Sequence, residues 1–395
     1  MVDWMADRIG PEALPTARMG VYVHFPWCLA KCPYCDFVSY ASTTIDHRGY
    51  ADAVLREIAG WHERIGSRTC GSIFFGGGTP SLWDPEQLGR VLGAIRQSFP
   101  AVAPGGERLE VTVECNPTSL DEDRARALVG VGVDRLSIGL QSLDDERLRF
   151  LGRLHDGRGA VAAVRAAVRA GVPRISGDLI FGLPAQTPDE ARAEALALLD
   201  LGIEHLSCYQ LTIEAGTRFG ELAKRGRLPL ADEGAVAESF LAIDEALTSR
   251  GFVHYEISNY ARPGQQARHN LGYWSGHEYL GVGCAAYGFL RLPTGAARYR
   301  NETRPESYVG GATATIEPLD PATLMRERIM LGLRMADGVD LDDAAASLGA
   351  PGWTTEREKT AAWLESRGRI VRQQARLRVP RAAWLWTDDT AARLF

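Results

Sequence analysis

The chain has no run of about 18 apolar residues, so no membrane-spanning helix is expected. It is also short of positive charge. Forty-four Lys and Arg stand against 50 Asp and Glu, a net charge of −6, which removes any whole-chain electrostatic case for binding nucleic acid. Lysine is scarce, with three (Lys31, Lys224 and Lys359) among 44 basic residues, and the matching excess of arginine and alanine carries no functional signal. The opening MVDWMADRIGPEALPTARMG lacks the basic end and apolar core of a secretory leader, so a cytoplasmic location is expected. Low-complexity stretches are missing too. What is present is ordinary for a folded protein: 45% hydrophobic and 24% charged residues over 395 positions, enough for two or three domains. A disordered, collagen-like or coiled-coil chain is excluded.

Seven cysteines make a disulfide framework improbable in a chain of this size. Cys70, Cys115, Cys208 and Cys284 are scattered through apolar stretches and read as small buried hydrophobes. Cys28, Cys32 and Cys35 differ, because CLAKCPYC gathers them into one short loop.

The first two-thirds of the chain alternates strand-like with helix-like segments. Strands are expected at 21–25, 72–75, 109–115, 134–140, 175–181 and 204–212, and amphipathic helices at 46–64, 85–98, 121–130, 157–170 and 188–201. Asp46, Asp84, Asp121 and Thr187 supply helix-start signals. Six βα units in succession predict a parallel sheet covered by helices; they are too few for a closed eight-stranded barrel and suit an open, partial barrel or a doubly wound sheet. From about 215 the rhythm fades through a helix at 232–250 and the segment HYEISNYA. The stretch 304–321 reads as a linker, and the last segment as three helices with a small hairpin, a winged-helix-like pattern. The expected organisation is an N-terminal segment (1–19), a partial barrel (20–215), a barrel extension and junction (216–310), and a C-terminal helical domain (311–395).

Parallel βα folds place their sites at the carboxyl ends of the strands, and the unusual polar residues of this chain fall there. The three cysteines follow the first strand and Gly76-Gly77-Gly78-Thr79-Pro80 the second. Glu114 ends the third strand, Gln141 the fourth and Asp178 the fifth. Three thiolates are one ligand short of a closed site. They suit a cubane iron–sulfur cluster with one iron left open, or zinc with His24 as a fourth ligand. Pro33 keeps the loop from becoming helix. Glycines permit close backbone approach to a small ligand, while Glu114, Gln141 and Asp178 offer partners for amine and hydroxyl groups, and Arg153 for a carboxylate.

The set YVHFPWCLAKCPYCDF, FGGGTPS, VECNP, RLSIGLQS, GDLIFGLPAQT, LTIEAGT, YEISNYA and RHNLGYW resembles the radical S-adenosylmethionine superfamily. Within it the chain resembles the coproporphyrinogen-oxidase-like branch, and most of all the HemW type of heme chaperone. The match runs from about residue 20 to about 290. The resemblance implies a partial (β/α)6 barrel with a C-terminal helical domain, and a 4Fe–4S cluster on Cys28, Cys32 and Cys35. It implies S-adenosylmethionine beside Tyr22 and Tyr34, held by Gly77, Gly78, Thr79, Glu114, Gln141, Arg153 and Asp178.

The alternative within the branch is an oxygen-independent coproporphyrinogen III oxidase, HemN-like. That type carries a further cysteine two residues after the last ligand, where this chain has Phe37, and a longer N-terminal segment. HemW-type chains carry HNxxYW, present here as His269-Asn270-Leu271-Gly272-Tyr273-Trp274. The resemblance therefore implies heme trafficking rather than porphyrinogen oxidation, with His269 as a heme ligand beside Tyr273 and Trp274. Implied partners are heme and heme-accepting proteins, membrane-bound respiratory cytochromes among the candidates. Nucleic acid is not implied, and a homodimer stays open. A regulatory role for a cluster with a winged helix is disfavoured by the acidic charge.

Overall fold

The computed structural model describes residues 18–66, 68–101, 109–292, 295–311 and 314–395; most of the expected N-terminal segment (1–19) lies outside them. Its frame is one twelve-stranded sheet. The six expected strands form as β1 (Met19–Phe25), β2 (Cys70–Gly77), β3 (Glu110–Cys115), β4 (Arg135–Gln141), β5 (Arg174–Phe181) and β6 (His205–Gln210). Neighbours in this series pair parallel, in the order of the chain. All six carboxyl ends therefore face one way.

Helices α1 (His47–Ile65), α2 (Pro85–Ser98), α3 (Glu122–Gly130), α4 (Asp145–Phe150), α5 (Gly157–Arg169) and α6 (Pro188–Leu199) connect the strands. Their starts follow from local chemistry. Asp46, Asp84 and Asp121 accept first-turn amides, and Thr187 with Glu190 closes a capping box. Strand residues such as Val21, Val23, Ile73, Phe75, Val111 and Val113 are fully buried under these helices.

The sheet continues beyond the expected six strands on both sides. At one edge β7 (Val253–Glu256) and β8 (Asn259–Ala261) form a hairpin, with β8 antiparallel to β6. At the other, β9 (Tyr279–Val282) runs parallel to β1, and β10 (Tyr287–Arg291), β11 (Ala296–Arg300) and β12 (Thr315–Leu319) add antiparallel. The stretch 304–321, expected as a linker, instead carries a short helix (Pro305–Val309) and the edge strand β12, so the sheet runs past the boundary expected at 310/311. Its polar, Gly-rich composition hid a strand whose side chains are mostly exposed.

The C-terminal part has its own apolar core, built on Met325, Ile329, Leu364 and Leu377. A helix (Pro321–Gly332), a strand (Val339–Asp340), two helices (Leu341–Leu348 and Thr355–Ser366) and a hairpin (Val371–Gln373 with Arg376–Arg378) follow in the order of a winged helix. The segment RHNLGYW forms a short helix, Arg268–Trp274. Among the described residues no helix is long and apolar enough to cross a membrane.

Candidate functional site

The loop after β1 is pinned at its base. Trp27–Cys28 pairs with Tyr40–Ala41, with the Tyr40 amide on the Pro26 carbonyl at 2.8 Å and the Ser42 amide on the Cys28 carbonyl at 2.9 Å. Between these ties Cys35 donates its amide to the Cys32 carbonyl at 3.2 Å. The three thiols are free and half-buried, while Cys70, Cys115, Cys208 and Cys284 are buried, as their composition suggested. Burial pushes the Cys28 and Cys35 thiols up. Iron that takes these thiolates must displace their protons.

The glycines at the end of β2 and just beyond it are required by this loop. The Gly78 and Thr79 amides reach the Phe25 and Trp27 carbonyls at 2.7 and 2.8 Å. A Cβ on Gly78 would stand 2.5 Å from the Trp27 carbonyl oxygen. Gly77, at φ 109°, faces the His24 ring. Thr79 then donates its hydroxyl to Cys28 Sγ at 3.4 Å.

On the opposite wall Arg153 donates to Cys32 Sγ at 3.5 Å and to the Gly139 carbonyl at 2.8 Å. A bulge between Gly139 and Gln141 sets Gln141 at φ 68°. That left-handed, non-glycine conformation is a strain typical of functional sites, and the side-chain amide of Gln141 and the Arg153 guanidinium both stand over Gly139. Tyr34 reaches Arg153 and Cys32 too.

Deeper in the barrel Glu114 accepts the Gly77 amide at 3.2 Å. Burial, then the Asp178 carboxylate, pushes Glu114 up to about 8. Asp178 is raised by burial while Ser137 donates to it at 3.2 Å and Ser207 also bonds it. Tyr22, raised by burial, meets His24 Nδ1 at 3.1 Å. Ser137 and Ser207 were missed by sequence reasoning; Ser207 stands opposite Asp178 and Ser137 two residues before Gly139, the partner of Asp178 on the other side, and that register is tertiary.

The donor set fits a cubane better than one ion. Among the described residues no three His, Cys, Asp or Glu side chains gather as ligands of a single metal ion, whereas a cubane gives each thiolate its own iron. His24 is not free to join them: Nε2 meets the Val38 carbonyl at 2.9 Å and Nδ1 meets Tyr22. Zinc with His24 as fourth ligand is therefore not supported.

His269 is not brought to this site. Its helix sits by the amino ends of β1–β3, where the Arg268 and His269 amides donate to the buried Glu110 carboxylate at 3.1 and 3.0 Å. The His269 ring is 3% exposed and stacks on Phe74. Its Nδ1 meets Ser72 Oγ and its Nε2 the Tyr273 hydroxyl, both at 2.9 Å. Both ring nitrogens are occupied here, so His269 stands as a buried structural histidine and its geometry lends no support to the expected ligation of heme. Trp274 meets the C-terminal part, with Arg334 over its ring and Arg328 on its carbonyl at 3.1 Å.

The sequence matches the Radical SAM superfamily over residues 22–198 and the HemN C-terminal domain over residues 319–386. It is 38% identical to the heme chaperone HemW of Escherichia coli, across 74% of this chain and 76% of that one. The heme chaperone HemW of Mycobacterium tuberculosis is 34% identical across 90% and 89%. The mitochondrial radical S-adenosyl methionine domain-containing protein 1 of Bos taurus is 38% identical across 84% and 77%. In fold it is similar to the solved coproporphyrinogen III oxidase, HemN, of Escherichia coli, with TM-score 0.80 and 20% identity over 97% and 91% of the two chains.

Proposed function

We propose that this chain, which belongs to the HemW family of the radical S-adenosylmethionine superfamily, is a heme chaperone that binds heme and delivers it to acceptor proteins. The observation that carries this reading is the free three-thiol loop at the carboxyl mouth of a six-stranded parallel barrel, in a chain this similar to HemW chaperones. The family's cofactors are a 4Fe–4S cluster and S-adenosylmethionine, which together supply a one-electron reductive centre when bound.

This chain's own residues divide the work of holding them. Cys28, Cys32 and Cys35 would take three irons. Arg153, charged and donating to Cys32 Sγ, would offset thiolate charge and meet a carboxylate. Glu114 and Asp178 would receive an ammonium group, which favours ionised carboxylates against their burial. Gly77, Gly78 and Thr79 would line the amino-acid end, with Gln141, Tyr22 and Tyr34 around it.

Membrane-bound respiratory cytochromes are the acceptor class we favour, and a homodimer is compatible with the reading. The cytoplasm is the proposed location, because all seven thiols are free, as suits a reducing compartment. Phe37, 59% exposed just after the cysteines, stands where the oxidase pattern has a further cysteine, which disfavours porphyrinogen oxidation.

The test is anaerobic reconstitution with iron and sulfide, followed by heme addition and transfer to an apo-cytochrome. Heme uptake and transfer without decarboxylation of coproporphyrinogen III is the expected result. Steady protoporphyrinogen formation would move the chain to the oxidase class.

A further inference from the structure

A cavity of about 730 Å³ opens between the inner face of β9–β11, the segment after the cysteines and the helix Pro321–Gly332. That volume falls within the usual range for a ligand site, roughly 300–1,000 Å³. The hollow beside His269, about 190 Å³, falls below it.

The walls of the larger cavity follow from strand alternation. Tyr287, Phe289 and Arg291 lie two apart on β10 and share a face. Opposite them β11 sets Arg300 against Tyr287 and Arg298 against Phe289. Leucines of the C-terminal helix close the far side. The result is an apolar, aromatic slot with guanidinium groups along it.

These guanidiniums are not equivalent. Arg298 is neutralised by Glu327 at 2.8 Å and Glu317 at 3.6 Å. Among the described residues the Arg291 and Arg328 side chains hydrogen-bond only carbonyls, at Gly276 (3.4 Å) and Trp274 (3.1 Å). Glu278, which accepts the Arg291 backbone amide, is already paired with Arg68 at 2.5 Å. Burial, then the charge of Arg291, depresses Arg328. Among the described residues the two cations are thus held together with no ion-paired carboxylate, though the charge of Asp343 acts on Arg328, an arrangement that a dianion would relieve. Beside them is His277, which is exposed and whose ring nitrogens have no hydrogen-bond partner among the described residues. His24, the other imidazole on this cavity, has both nitrogens occupied.

We propose that this cavity receives the tetrapyrrole, with its flat ring in the aromatic slot, its two carboxylates on Arg291 and Arg328, and His277 as the iron ligand. The inference rests on the heme-chaperone reading and assigns that ligand a place. No bond is made or broken beyond coordination, so a free-base porphyrin should enter the same slot without the imidazole.

The experiment titrates the reconstituted protein with hemin, followed by its Soret band, and with protoporphyrin IX, followed by its fluorescence. Arg291→Gln with Arg328→Gln should weaken both ligands by roughly tenfold or more. His277→Ala should shift the Soret band of bound hemin and leave protoporphyrin affinity unchanged. Iron and sulfide content after reconstitution confirms that each variant is folded. Unchanged affinity in the double arginine variant would overturn the cavity assignment, and an unchanged Soret band in His277→Ala would overturn ligation by this residue. A wild-type protein that binds neither porphyrin would instead sink the heme reading itself.

Discussion

Ser72 Oγ and His269 Nδ1 share a hydrogen bond of 2.9 Å inside the barrel, one strand over from Gly20, where a Cβ would come within 3.1 Å of the imidazole. The histidine is thereby committed to the sheet. His269→Phe should leave the Soret band of added heme unchanged. It should lower stability by about 1–3 kcal/mol, because Ser72 and Tyr273 each lose a buried partner. Urea unfolding and heme titration of the same variant check both halves, and a displaced Soret band would restore His269 as a ligand.

The cysteines should separate cleanly by role. Ala at Cys28, Cys32 or Cys35 should abolish the roughly four irons and four sulfides expected per reconstituted chain. Ala at Cys70, Cys115, Cys208 or Cys284, all buried free thiols, should retain them. Chemical iron and sulfide assays decide the matter.

Arg153 tunes whatever Cys32 holds. A hydrogen bond to a ligand sulfur stabilises the reduced, more negative cluster. Arg153→Gln should therefore keep full iron content while moving the cluster's reduction potential to a more negative value. A potentiometric titration that shows no shift would mean that the contact at 3.5 Å has no electronic consequence.

Glu114 should make stability depend on pH. Its carboxyl ionises near 4.5 in an open chain and at about 8 in the fold. Between those values the folded state binds more protons than the unfolded one. Stability from this group is complete below the lower value and is lost as pH rises towards the upper one. Glu114→Gln should flatten that decline, read as denaturation midpoints of the cofactor-free protein from about pH 5 to about pH 8.

Gly78 tests the fit of the cysteine loop. The Cβ of Gly78→Ala would meet the Trp27 carbonyl, a backbone atom with no rotamer to yield. A cost of about 1–3 kcal/mol is expected, with poorer cluster retention because the same loop carries Cys28. Thermal melts alongside iron content measure both; a variant with wild-type values would show that the loop can shift freely.

The local code was enough for much of the molecule. Alternating apolar runs, Asp and Thr caps and the βα rhythm are short-range features, so six parallel strands, their helices and the winged-helix order were legible from the chain alone. The cysteine loop was legible for the same reason, since three ligands within eight residues need no fold to bring them close. Pairing across the sheet was not legible. β9 and β12 were hidden because a strand beside β1, or a mostly exposed one at the edge, depends on a partner far away in the chain. That pairing also decided the fate of two histidines. His269 stands in a motif that draws the eye, but Ser72 and Tyr273 occupy its nitrogens. His277 carries no motif, yet it faces a cavity with Arg291 and Arg328 because β10 and the C-terminal helix meet there. Residue type and spacing determine what a side chain can do; whether its polar atoms are already spent is decided by neighbours that only the folded sheet supplies.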